Sequence, residues 1–177
     1  MQTLDLLPQG YGANTGYSSV VGAASAWEAI GDSIDGTHDG DISYFVLPRA
    51  ILPAGRVSFQ LFTMAQHLPV ASIMLRIGTK IHSGGPIFSV GFSRYGAQAF
   101  SATKITPTGS YVVTDTVFTV NPFTGAAWAD GDLAGLEPCL LMDNVIGQAR
   151  ITLMSGQLSY QPATIYFDMT PPEARKS

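Results

Sequence analysis

A chain of 177 residues is the size of one domain and can bury a core without covalent staples. Hydrophobic residues make up 46% and charged residues 12%, half the usual share of about 25%, so the surface rests on Ser, Thr, Gly, Asn and Gln and suits packing against other copies or a larger assembly. The net charge of −4 and the scattered Lys and Arg argue against nucleic acid, and with no long apolar run neither a membrane span nor a secretory leader is expected.

In chain order, residues 1–24 are rich in Gly, Ser, Asn and Tyr and read as an N-terminal arm that orders against a neighbour, with Tyr11 and Tyr17 as its binding residues. Residues 25–170 read as a β-sandwich domain and residues 171–177, PPEARKS, as a frayed tail. Strand-like runs occupy 26–30, 41–47, 56–64, 71–81, 87–95, 98–105, 110–120 and 149–155, with a last pair around QLSYQ and TIYFDM. Such short runs between turn signals are the mark of a sandwich or barrel.

The 71–81 run carries the period most clearly, with Ile73, Leu75, Ile77 and Ile81 on one face and Ser72, Met74, Arg76 and Lys80 on the other. In 56–64, Val57, Phe59 and Leu61 alternate with Arg56, Ser58 and Gln60 before Phe62 and Met64 take the opposite parity, which a bulge or a covered outer face would explain. Turns are expected at Leu52-Pro53-Ala54-Gly55, Ser83-Gly84-Gly85-Pro86, Pro107-Thr108-Gly109 and Met154-Ser155-Gly156-Gln157. The stretch NPFTGAAWADGDLAGLE, 121–137, departs from the pattern: turn formers lead to Trp128, and Asp130 is placed to cap a short helix near 130–136 with Leu133 and Leu136 on one face. Cys139 excludes an intrachain disulfide and reads as a small buried hydrophobe behind that helix.

Candidate chemistry is sparse. Asp32, Asp35, Asp39 and Asp41 form the one acidic cluster, but Thr37 and Val46 stand where an EF-hand loop starting at Asp35 needs ligands, so a tight inter-strand loop is preferred over calcium. His38, His67 and His82 lie in separate segments without zinc spacing, and Gly91-Phe92-Ser93 lacks the second glycine of a nucleophile elbow. With three glutamates, Glu28, Glu137 and Glu173, and Asp115 read as outward-facing, no carboxylate pair for glycoside cleavage stands out. No enzyme, cofactor or metal is therefore expected. Tyr11, Tyr17, Trp27, Tyr44, Tyr95, Tyr111, Trp128, Tyr160 and Tyr166 are aromatics from which a sugar-stacking platform could be drawn, although core and interface packing is their commoner use.

Three segments in order resemble a domain that recurs in structural proteins of tailed bacteriophages: AWEAIGDSIDGTHDGDISYFVL; ILPAGRVSFQLF followed by PVASIMLRIGTKI; and NPFTGAAWADGDLAGLE with the closing ARITLMSGQLSYQ. The resemblance spans residues 26–161 and is most specific in the N-P-x-T-G-x-x-W and D-L-x-x-L-E pattern; the acidic loop departs from it, since glycines and His38 interrupt the aspartates. It implies an all-β, jelly-roll-like antiparallel β-sandwich without enzymatic activity, in which Trp128 and the helix after it close one end with Leu133, Leu136 and Leu140 pointing inward. The resulting expectation is a virion protein, assembled in the bacterial cytoplasm, that decorates and cements the capsid as a homo-oligomer bound to the major capsid protein or other virion proteins. The rival expectation is a receptor- or glycan-binding module of a phage tail or fibre.

Overall fold

The computed structural model describes residues 1–30, 41–49, 56–61 and 69–161. Among them are eleven strands: β1 (Gln2–Leu6), β2 (Pro8–Thr15), β3 (Ser19–Val21), β4 (Tyr44–Leu47), β5 (Arg56–Leu61), β6 (Val70–Ser83), β7 (Phe88–Arg94), β8 (Ala97–Ile105), β9 (Val112–Phe118), β10 (Leu136–Met142) and β11 (Gln148–Tyr160). One sheet runs β3-β4-β11-β6-β9, with β1 also paired to β11; the other runs β2-β5-β10-β7-β8. Every pairing is antiparallel, and the two sheets make the jelly-roll-like sandwich expected of the strand-and-turn pattern.

The core follows from period-two alternation on both sheets. Ile73, Leu75 and Ile77 of β6 and Ile151, Met154 and Leu158 of β11 face Val57 and Phe59 of β5 and Phe88, Val90 and Phe92 of β7. Phe92 meets Phe118 edge-on at 4.9 Å and Trp128 at 6.1 Å, while Phe45 meets Phe59 across the sandwich at 5.7 Å. On the outer face of the first sheet, Arg76 of β6 grips Asp115 of β9 through two hydrogen bonds of 2.7 and 2.8 Å, so Asp115 does point outward.

The structure departs from the sequence expectations in five places. Residues 2–21 are not an arm but three strands: β1 lies along the end of β11, from Gln2 opposite Tyr160 to Leu6 opposite Gly156, and after Leu7 the chain enters the other sheet as β2 beside β5. At Gly12 the approach is close, since a Cβ there would stand 2.3 Å from Glu137 Oε2 and 2.4 Å from Ser58 Oγ. The helix near 130–136 is a run of turns instead. Gly131 and Gly135 adopt φ of 82° and 66°, which interrupts helical geometry, and Leu136 already begins β10.

Residues 26–30 form no strand; a 3-10 turn covers Glu28–Ile30. Met154 to Gln157 form no turn, because the fourteen-residue β6 pairs with β11 straight through them. β10 went unread because Pro138 interrupts a short apolar run, yet Pro138 fits the strand and is buried opposite Phe92. The expected turn at 52–55, the parity switch at Phe62 and Met64, the TIYFDM strand and the 171–177 tail lie outside the described residues.

An alanine at Gly12 separates a docked strand from a loose arm. Gly12→Ala is expected to cost about 1–3 kcal/mol in urea unfolding, the usual price of overpacking, whereas a loose arm would tolerate it.

Candidate functional site

The residues 25–30, SAWEAI, build the most site-like feature among the described residues. Ser25 caps the turn by accepting the Glu28 N–H on its side chain at 3.3 Å, in an S-x-x-E pattern, and its carbonyl accepts the Ala29 N–H at 3.1 Å. Ala26, Ala29 and Ile30, at the i, i+3, i+4 spacing of a helical face, are fully buried and fix the turn to the core. Trp27 is left half-buried and Glu28 exposed on the outer side. They face the crossing from β1 to β2, and together with Leu7, Pro8 and Gln9 they line an open depression of about 580 Å³.

Tyr11 and Tyr17, expected to bind a neighbour, stand half-buried beneath this turn and support it. Their rings stack at 5.8 Å with 9° between planes, their hydroxyls hydrogen bond at 3.0 Å, and Tyr17 packs edge-on against Phe45 at 6.4 Å. The Ala26 N–H donates to the Tyr11 hydroxyl at 3.0 Å, tying β2 to the residue that precedes Trp27. The hydrogen bond to Tyr11 and then burial raise the Tyr17 phenol above its ordinary pKa.

The other described aromatics are mostly occupied. Arg150 lies 4.7 Å over the Tyr44 ring and Lys80 lies 5.0 Å over the Tyr111 ring. The Tyr160 hydroxyl donates to Gln2 Oε1 at 2.8 Å, and Trp128, buried, donates its indole N–H to the Phe118 carbonyl at 3.0 Å. Trp128 thus anchors one end of the sandwich as expected, with Leu133 and Leu136 packed against the same core and Leu140 fully buried. Tyr166 lies outside the described residues. Of the aromatics singled out in the sequence, Trp27 is half-buried with one side packed on the core, and Tyr95 is exposed with Arg94 5.6 Å from its ring centroid.

Of the acidic cluster, Asp32, Asp35 and Asp39 lie outside the described residues, as do His38 and His67. Asp41 is turned to the protein's own cations: it accepts from Lys80 Nζ at 2.9 Å, from the Tyr111 hydroxyl at 2.8 Å and from Arg150. Arg150 also donates to His82 Nδ1 at 3.2 Å. The Lys80 bond first, then those of Tyr111 and Arg150, hold the Asp41 carboxyl down at about 2, while burial and Asp41 raise Tyr111 above its ordinary value. The cluster pins the chain entering β4 onto the outer face of β11 and β6. Cys139 is fully buried, and desolvation pushes its thiol up to about 12, so it is the inert small hydrophobe that the sequence suggests, seated in β10 instead of behind a helix.

No protein-family model matches the sequence, and no curated protein matches it. Among solved structures, the chain is similar to the CBM22-1 xylan-binding domain of Xyn10C from Paenibacillus barcinonensis, at 12% identity and TM-score 0.51 over 90% of this chain and 95% of that domain. It is also similar to the C-terminal CBM6 of LamC, a marine laminarinase of Zobellia galactanivorans, at 10% identity and TM-score 0.40 over 89% of this chain and 100% of that module. A further likeness, to the enzymatically active domain of tailspike protein 4 of bacteriophage CBA120, has 20% identity and TM-score 0.37 and covers 66% of this chain and 16% of that one. The first of these establishes a shared β-sandwich fold; the other two fall below the similarity at which a fold comparison carries weight. The likeness to phage structural domains gains no matching family model.

The Asp41 cluster makes a pH-dependent contribution to stability. The folded carboxyl titrates at about 2 against 3.8 ordinarily, so between these values the unfolded chain binds more protons and stability is lost as the pH falls. Asp41→Asn is expected to unfold at a lower temperature than the parent at pH 7, with the gap closing as pH drops from about 4 toward 2. Thermal melts of both proteins across that range check it.

Proposed function

We propose that the chain is a non-catalytic glycan-binding module that takes a neutral sugar in the depression of Leu7, Pro8, Gln9, Trp27 and Glu28. The observation that carries this reading is the convergence of an indole, a carboxylate and an amide on one concave surface, held by a capped turn whose remaining residues are buried in the core. The C–H face of a pyranose is apolar and lies flat on an indole, while its ring of hydroxyls needs acceptors and donors at the edge. Glu28 supplies two acceptor oxygens and Gln9 supplies both an acceptor and donors. A carboxylate in the site and a net charge of −4 disfavour anionic sugars, which points to neutral ones.

The xylan-binding domain named above offers a precedent for sugar recognition on this sandwich, and of the rival reading of the sequence, a receptor- or glycan-binding module of a phage tail or fibre, the glycan-binding part is what the site favours. Capsid decoration, expected from the composition and the phage resemblance, draws no support from the site, and Tyr11 and Tyr17, expected to make its contact, pack half-buried against the core. The residues proposed here differ from those expected: Trp27 is shared with the earlier set of aromatics, whereas Gln9 and Glu28 come from the fold.

Electrophoresis through gels containing soluble arabinoxylan, laminarin, galactan or mannan tests the proposal. Retardation by at least one of these neutral polysaccharides is expected, with none by polygalacturonate. Trp27→Ala is expected to weaken it about tenfold or more, and Glu28→Gln by less, with far-UV circular dichroism unchanged in both. Equal retardation of parent and Trp27→Ala would refute the site.

A further inference from the structure

We infer that Tyr95 is a second, separate sugar-stacking platform. β7 and β8 are joined by two residues alone, Tyr95 and Gly96, with φ of 49° and 87°, the left-handed pair of a tight hairpin turn. Asn, Asp or Gly occupies such a first position at little cost, whereas a bulky ring there is a backbone outlier. Tyr95 is the single described residue other than glycine with a positive φ, and it is also 81% exposed. Burial therefore does not explain why an aromatic stands in this turn, and strain of this kind gathers at binding sites.

The surroundings hold the ring in place without covering it. A Cβ on Gly135 would stand 2.6 Å from Tyr95 Cε1 and 2.7 Å from Cζ, so the ring rests directly against the bare Cα of Gly135. The Arg94 guanidinium lies 5.6 Å from the ring centroid. Arg94 is itself locked: its Nε and one NH2 group donate to the carbonyls of Ala134 and Gly131 at 3.0 Å each, and the other donates to Asp132 at 3.3 Å. Asp132 in turn accepts the Ala129 N–H at 2.8 Å. The 129–135 turns thereby brace the side chain next to Tyr95 and one edge of its ring.

The ligand class follows from what stands beside the ring. An aromatic anchor for a protein partner is ringed by contacts that exclude water. Here, apart from the Arg94 guanidinium, the neighbours are Gly96, Ala97 and Gly135, all exposed and too small to form such a ring. One flat aromatic face, braced along one edge and otherwise open, suits the C–H face of a sugar, whose hydroxyls stay in water. The site goes beyond the Trp27 depression and shares no residue with it, so the two can succeed or fail separately.

Tyr95→Asn suits the left-handed turn better than the parent residue, and its effect on binding is distinct from its effect on folding. Run on the same polysaccharide gels, Tyr95→Asn is expected to lose about tenfold in affinity while its melting temperature stays level or rises by about 2 °C. Combined with Trp27→Ala, it is expected to abolish retardation. Retardation of Tyr95→Asn equal to that of the parent would overturn the inference and leave the Trp27 site standing. Self-association abolished by Tyr95→Asn, with no polysaccharide effect, would also overturn it and assign the ring to a protein contact.

Discussion

The pairing of β11 with β6 is the constraint on which the rest of the molecule depends. Twelve residues of β11 find partners along β6, and the same strand carries β4 on its first half and β1 on its second. Residues 151–156 of β11 are all buried, on both faces of the sheet, so the strand acts as a spine instead of a surface layer. Because β1 closes onto the end of that spine, the N-terminal residues must cross at Leu7 to reach β5 in the opposite sheet. That crossing forms one wall of the depression in which Trp27 stands.

A short chain of contacts links the spine to the candidate site. β2 carries Tyr11 beside Phe59; Tyr11 stacks on Tyr17 and accepts the N–H of Ala26; Ala26 and Ile30 sit in the core beside β11 and β4. The outward residues between them, Trp27 and Glu28, inherit rigidity from the residues packed behind them. A site fixed in this way loses little conformational entropy on binding, which is what a flat, weakly attractive sugar surface requires. Tyr95 obtains the same rigidity by another route, from a two-residue hairpin and an arginine fastened to backbone carbonyls.

Much of the fold was legible wherever one face is buried and the other wet. Ile73, Leu75 and Ile77 announced β6 through alternation, and Val57 and Phe59 did so for β5. The failures have physical causes. β11 is buried on both faces, so Met154, Ser155 and Gly156 show no alternation and imitate a turn. β1 and β2 have few large apolar residues, since long-range pairing and the close approach at Gly12 decide their state, and neither is written locally. The 130s show leucines at helical spacing, but two left-handed glycines overrule it.

The candidate site was half legible. Trp27 stood among the aromatics, yet Ala26 to Ile30 read as a strand although Ser25-x-x-Glu28 and the 26, 29, 30 spacing marked a capped turn. Gln9 carries no local signal at all; only the sheet crossing brings it near Trp27. The strain at Tyr95 depends on a backbone angle, which no residue pattern around Tyr95-Gly96 discloses.

Tryptophan emission during titration with soluble neutral polysaccharides reads sugar binding at Trp27, since the chain has two tryptophans and Trp128 is buried, leaving Trp27 as the accessible reporter. A saturable change in emission is expected with at least one polysaccharide, and its loss in Trp27→Phe. Emission that stays constant throughout, or a change that survives in Trp27→Phe, would contradict sugar binding at Trp27.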